Sequence, residues 1–408
     1  MKYVNSLKYI NSFDPAGPGG VSAHRTSELC ALLGKVNIGT NCIYIPQGAT
    51  GHATAVLLES VIKSAGYKVG RIVFSCLCDS RGAVFLDGNI APIEDYNRSV
   101  AELKSAVITN PEKKYCKEEA VFALSLLLCK LHGCDYVILE GASMYNEDVT
   151  SLCSPYDMVV IPTVYDGSAE HIVPCCSAIK HGVRETVIGT QKKSIYDMIS
   201  GACATSGVRL NITSKTSFKT EECSGIRSGF SYGDRSGYTI KSPSLIQRDC
   251  AMLVIECALA IRRDGVKLPW ASITAGLASA SGTGCFEMLS ASPLILLDSA
   301  SNKGEMALFL STIDEVFGEG ALKGFSICVP ATATDLLGIL EKYEPSALIS
   351  VGGEPSGTDC DGKFFCKECR DAAKLIMQNM RMGIDTVCFG SVEFELELSS
   401  EITKSMNR

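Results

Sequence analysis

The chain has 408 residues, 46% of them apolar, and a formal net charge of −7. That length supports two or three domains with sizeable cores. The acidic balance, with no extended run of Lys or Arg, offers no broad electrostatic footprint for nucleic acid or an anionic membrane, so a small molecule or another protein is the expected partner.

The opening MKYVNSLKYINSFDPAGPGG holds no apolar stretch of signal-peptide length. No segment reaches the roughly 18 uninterrupted apolar residues of a membrane span, so a cytoplasmic chain is expected. Twenty cysteines is a high count, yet many lie inside apolar runs, as Cys129 does in ALSLLLCKLHGC and Cys257 in MLVIECALAI. A reduced thiol there acts as a small hydrophobe.

An amphipathic opening around Thr26–Leu33 precedes the strand CIYIP. GATGHAT follows, then AVLLESVIKSAGYKVG with helical spacing at Val56, Leu57, Ser60, Val61 and Ser64 and a C-cap candidate at Gly66. RIVFSCLC predicts a second strand, AVFALSLLLCKLHG a helix, YVILEGAS and MVVIPTVYD further strands, and ETVIGT and VRLNIT two more. Strands alternating with helices predict a parallel sheet covered on both faces. After the helix SLIQRDCAMLVIECALAIRRDGV, a Ser/Gly-rich stretch at 278–284 predicts a domain boundary, giving domains of 1–281 and 282–408. Beyond it, PLILLD, a loop, a helix, FSICVP, SALISVGG, the helix CRDAAKLIMQNMRMG and TVCFGSV predict a smaller α/β unit.

Taken in order, these segments resemble the Mur ligase superfamily, and within it the folylpolyglutamate synthase and dihydrofolate synthase branch. GATGHAT followed by SAGYKVG is similar to that family's G-T-N-G-K-G-S and A-G-Y-x-V-G. ILEGAS is similar to L-E-V-G-L-G-G, TGCFEMLSASPLILLDSASNK to P-G-R-F-E with D-x-A-H-N-P, and FGSVEFELEL to the last strand's G-S-x-Y-L-x-G-E. The similarity runs from about residue 24 to about residue 398. It implies an α/β fold with an N-terminal P-loop-type ATP-binding domain, the Mur ligase central domain, and a smaller C-terminal Rossmann-like domain, with the active site between them. The implied activity is ATP-dependent amide formation, in which a small-molecule carboxylate is phosphorylated and then attacked by an amino acid's amine.

A phosphate loop presents successive backbone N–H groups and a helix N-terminus to an anion. The resemblance assigns that role to Gly48, Ala49, Thr50, Gly51, His52, Ala53 and Thr54, with the Thr54 hydroxyl as a Mg²⁺ ligand. His52 stands where the family has lysine, and an imidazole, mostly neutral near pH 7, supplies no fixed charge to the outer phosphates. Glu140, closing the strand YVILE, matches the family's metal-binding glutamate. For the metal-binding histidine two alignments stay open: Asp166–Gly167 match and the histidine is lost, or Glu170–His171 replaces it, making His171 a Mg²⁺ ligand. Asp298 and Asn302 match catalytic positions of the second domain, beside His52 and Glu140 in the first. Other matching positions depart: the carbamylated lysine falls near Cys175, the adenine-contacting asparagine at Cys250, the arginine of P-G-R-F-E at Cys285, and the histidine of D-x-A-H-N-P at Ser301. Each thiol replaces a charge or a bidentate hydrogen-bonding group with a small, weakly polar one.

These departures set up the functional expectation: a folylpolyglutamate-synthase-like scaffold with lost or altered catalysis. A non-catalytic paralogue acting as a binding or regulatory subunit of a partner ligase is the alternative. A weaker one is a metal-binding role for DCDGKFFCKEC, where Cys360, Cys366 and Cys369 offer three soft ligands for zinc or an iron–sulfur cluster, with Cys388 or Cys328 as a fourth.

Overall fold

The structure, a computed structural model, describes residues 2–406 apart from 17–19, 38, 74–79, 142–150, 166–171, 225, 341–342 and 354–362, and the side chains of 334, 335 and 337. The backbone groups into two compact units, one of Met1–Gln47, Ala55–Ser214 and Leu253–Leu277, the other of Gly48–Thr54, Lys215–Met252 and Ala278–Arg408. This division and the expected boundary share a break near residue 280 and differ over 48–54 and 215–252.

In chain order the first unit begins with α1 (Tyr3–Ile10), α2 (Ala23–Leu32), β1 (Asn41–Pro46) and α3 (Ala49–Ser64), which belongs to this unit from Ala55 onward. β2 (Val69–Val73), β3 (Val84–Leu86), β4 (Asn89–Ile90), α4 (Ile93–Ile108), α5 (Lys117–His132) and β5 (Tyr136–Gly141) follow. Then come β6 (Met158–Ile161), α6 (Ile172–Ala178), β7 (Glu185–Ile188), α7 (Lys193–Ser206), β8 (Arg209–Ile212), and the helices α8 (Leu245–Arg263) and α9 (Trp270–Ser279), of which Leu253–Leu277 belong to this unit. The eight strands form one sheet in the order β4-β3-β2-β5-β1-β6-β7-β8. Pairing is parallel from β2 through β8, with β3 and β4 antiparallel at one edge.

The central strands are nearly continuous apolar runs because both faces are covered. Ile43, Ile45, Ile138, Leu139, Val159 and Val160 are at most 1% exposed. Helix ends follow local chemistry. Glu119 reaches back to the Cys116 N–H at the start of α5, and Gly133, at φ 74°, closes its other end in the left-handed conformation.

The second unit holds β9 (Phe218–Ser224), β10 (Arg227–Tyr232) and β11 (Arg235–Ile240), an antiparallel sheet that the sequence reading did not anticipate. Its core is a ring stack, Phe230 lying 5.1 Å from Phe218 and 5.5 Å from Tyr238. Next come β12 (Glu287–Ala291), β13 (Leu294–Asp298), α10 (Lys303–Phe317), β14 (Ser326–Pro330), α11 (Thr334–Leu340), β15 (Ala347–Val351), β16 (Lys363–Cys366), α12 (Cys369–Arg381), β17 (Thr386–Phe389) and α13 (Val392–Met406). These strands order as β12-β13-β17-β14-β15-β16, parallel except for β12.

The period-2 rule of a strand divides this sheet's side chains between two cores. Leu294, Leu296, Ile327, Val329, Val387 and Phe389 pack with α10 and α11, whereas Ile295, Leu297, Cys328 and Cys388 pack with α12 and α13. The segment VEFELEL, aligned above with a strand motif, is helical. Its buried residues Val392, Glu395, Leu398 and Ile402 recur at three and four, the spacing of one helix face.

Candidate functional site

β1 runs out at Pro46, and α3 starts at Ala49 after a single strained position, Gly48, at φ +134°. Such a conformation favours glycine, so the first glycine of GATGHAT makes the strand-to-helix turn. The remaining residues form the helix's first turns rather than an open loop, and His52 N–H already bonds Gly48 O at 2.8 Å. The first-turn amides of Ala49, Thr50 and Gly51 have no acceptor within the helix, the usual property of a helix start, and can face an anion.

The side chains of this turn are spent locally. Thr54 Oγ1 donates to Thr50 O at 2.7 Å, and the Cys250 thiol donates to the same carbonyl at 3.5 Å. His52 is 1% exposed, and its Nε2–H donates to Gly282 O at 3.2 Å. Gln247 ties the neighbouring segment together, donating to Thr283 Oγ1 and to Cys285 O.

Around Gly282–Cys285 the second unit gathers carboxyl groups. Burial holds the Glu287 carboxyl above the usual range, against the opposing influence of the nearby Gly284 N–H and His52. Glu395, also buried, is pushed well above it by desolvation, with Glu287 and Asp298 adding to the effect. Its Oε2 has no hydrogen-bond partner among the described residues. Gly284, at φ +69°, permits this approach, since a Cβ there would meet Glu395 Oε2 at 2.6 Å and Ser299 Oγ at 3.2 Å. Asp298, last residue of β13, accepts from Phe286 N at 2.8 Å and Ala300 N at 2.9 Å. Burial raises its pKa to about 7 against those two bonds, with Glu305 raising it further.

Asn302 caps α10, its Oδ1 accepting from Gly304 N and Glu305 N at 3.0 Å each, while Ser301 N and Oγ both bond Glu305 Oε2. Cys285 is fully buried with its sulfur 4.0 Å from Ser299 Oγ, and burial pushes both Cys250 and Cys175 up to about 12. At these three positions the thiols pack as core atoms.

Glu140 lies in the first unit, in register with Ile45 of β1. It too is committed: Arg71 Nη1 donates to Glu140 Oε1 at 2.6 Å and Arg71 Nε to Glu59 Oε2 at 2.7 Å, with the guanidinium 4.2 Å from the Phe85 ring centroid. All three charged side chains are at least 96% buried.

His171, Asp166 and Cys360 lie outside the described residues. Cys366 and Cys369 fall in the core that also holds Cys328 and Cys388. Among the described residues no group of three or more His, Cys, Asp or Glu side chains is arranged to hold a metal ion. No described helix is long and apolar enough to cross a membrane.

Sequence reasoning missed Arg71, Glu59, Glu287 and Glu395. The signal for the first two was present: one arginine inside the apolar strand GRIVF, and one glutamate inside the apolar helix AVLLES, each demanding a partner once buried.

The two largely parallel sheets, the strand-to-helix turn at Gly48 and the second α/β unit make this an α/β chain of two compact units. More particularly, it has the fold of the folylpolyglutamate synthases. Its backbone matches the apo enzyme of Lactobacillus casei with a TM-score of 0.80 at 16% identity, each chain covered completely. The Thermotoga maritima enzyme matches at 0.78 and 17% identity, covering 99% of this chain and 97% of that one. The Mycobacterium tuberculosis enzyme, solved with ADP and AMPPCP, matches at 0.76 and 15%, with 99% and 98% covered. No protein-family model and no curated protein sequence matches the chain.

Proposed function

We propose that the chain is a folylpolyglutamate-synthase-type ligase scaffold whose helix start at Gly48–Gly51 can still receive a nucleotide phosphate, while ATP-driven amide formation is lost or strongly weakened. The scaffold and the ATP analogue held by solved relatives support nucleotide binding. The observation that carries the loss is His52: it sits in the lysine position, 1% exposed, with a ring N–H committed to Gly282 O.

The residues present fit an anion better than they fit its metal. Backbone amides at a helix N-terminus suit a phosphate. Mg²⁺ needs oxygen ligands at about 2.1 Å, but the Thr54 hydroxyl points to Thr50 O and Glu140 is tied to Arg71. The fixed charges of the family pattern at 52 and 285 are a histidine and a thiol, and removing one such electrostatic donor costs about 10²–10³-fold in rate.

Titration calorimetry with Mg-ATP, together with phosphate release in the presence of folate and glutamate, tests this reading. Weak nucleotide binding with glutamate-independent background release is expected. Brisk glutamate-dependent turnover would refute it. His52→Lys is expected not to restore turnover, because Thr54 and Glu140 remain committed elsewhere.

A further inference from the structure

We propose that Cys129 and Cys134 form a reversible disulfide, a modification site at the junction of α5 and β5. The helix end itself brings the two residues together. Gly133 takes the left-handed conformation, and Cys134 N–H bonds back to Cys129 O at 3.0 Å. That six-to-one bond packs the residue after the helix against the one five positions earlier. A direct backbone hydrogen bond between two residues brings their Cα atoms near the range of about 4.4–6.8 Å that a disulfide spans.

The side chains complete the arrangement. Both sulfurs lie over Gly70 of β2. A Cβ at Gly70 would collide with Cys129 Sγ and stand 3.1 Å from Cys134 Sγ, so the glycine leaves the room that the pair occupies. Their exposures differ as an exchange reaction requires: Cys129 is 2% exposed, whereas Cys134 is half-buried beside the exposed Gly133 and Asp135. Cys328 and Cys388, in register on β14 and β17, are both buried and offer no exposed sulfur to begin exchange.

The oxidant is a low-molecular-weight disulfide. The Cys134 thiolate attacks one of its sulfurs, and the first external thiolate leaves. Cys129 gives its proton to solvent and attacks the Cys134 sulfur of the mixed disulfide, and the second thiolate leaves. Two cysteine thiols are oxidised, and one external disulfide is reduced to two thiols. An external dithiol reverses both steps.

The full-length protein is incubated with oxidised glutathione, alkylated and digested with trypsin, which cuts after Lys130 between the two cysteines. A pair of peptides joined through Cys129 and Cys134, lighter by two hydrogens, is expected, and dithiothreitol should separate them. In Cys129→Ala the reaction should stop at a glutathione adduct on Cys134. In Cys134→Ser, a change at a half-buried position, Cys129 should stay reduced. The inference falls if a glutathione adduct persists on Cys134 of the unaltered chain, if Cys134 does not react, or if the neighbouring thiols of Cys42 and Cys153 link in preference.

Discussion

Glu140 and Asp298 occupy equivalent places in two different sheets, each at the C-terminal end of a parallel strand and each at most 1% exposed. Their surroundings are opposite. Glu140 shares a guanidinium with Glu59, and although burial alone would lower the Arg71 pKa, the two carboxylates outweigh it and hold it above the ordinary value. Asp298 has two backbone N–H donors and other carboxyls nearby, and burial lifts it to about 7. A carboxyl buried with a cation stays charged and is fixed in one geometry. One buried with only dipoles keeps access to its proton. Neither state resembles an open metal ligand, which needs lone pairs turned toward an ion.

The sharpest way to break this contrast is to remove the cation. Arg71→Met strands two buried carboxylates together and should cost about 3–5 kcal/mol, since breaking a buried pair leaves uncompensated charge. The midpoint of urea unfolding followed in the first unit measures it. Adding Glu59→Gln and Glu140→Gln should return most of the loss, because neutral amides remove the repulsion. A loss below about 1 kcal/mol for the single change would mean that water or a counterion already shares the site.

The second test is proton linkage at Asp298. Its folded pKa of about 7 lies above the ordinary 3.8. Between those values the folded state holds a proton that the unfolded state has released. The stabilisation is therefore complete below about pH 4 and is lost as pH rises to about 7, amounting to a few kcal/mol at most. Glu287 and Glu395, also raised, act in the same direction. In the first unit Asp87 moves the other way. Its desolvation is overcome by the Val69 N–H and His132, so its contribution is present above its ordinary pKa and lost as pH falls below it. Stability of the second unit should fall between about pH 4 and 7. Asp298→Asn should flatten that slope while costing about 1–3 kcal/mol at pH 5, since an amide can accept only one of the two backbone N–H bonds. An unchanged slope in the variant would assign the effect elsewhere.

The two carboxylates also show how far the sequence could be read. The strand ends carrying them were legible, because apolar runs such as YVILE and PLILLD broken by turn residues mark parallel strands. So was the turn at Gly48, where a glycine stands between strand and helix. Their partners were not. His52 meets Gly282 across 230 positions of sequence, and Glu140 meets Arg71 across 69. No local period encodes such pairings. Residues 218–240 were unread for a different reason: Ser and Gly are their commonest residues, interspersed with charged ones, and one strand of that antiparallel sheet is exposed along most of its length. In VEFELEL, alternating letters suited a strand, yet the glutamate at 395 is buried and the helical spacing prevails.

The smallest expected effect separates a metal ligand from a helix hydroxyl. Thr54 is fully buried, and its hydroxyl bonds back to Thr50 O within the same helix. Such back-bonding contributes little to a helix and often slightly strains it. Thr54→Val removes the donor, while Thr50 O keeps the Cys250 thiol, so stability should change by less than about 1 kcal/mol. Mg-ATP affinity, by titration calorimetry, should stay within a few-fold of the unaltered chain. If the hydroxyl were a Mg²⁺ ligand, binding in the presence of magnesium would weaken about tenfold or more while binding in EDTA stayed the same. That pattern would show the hydroxyl turning toward the metal on binding, and the commitment of the first helical turn to its own carbonyls would then describe only the nucleotide-free chain.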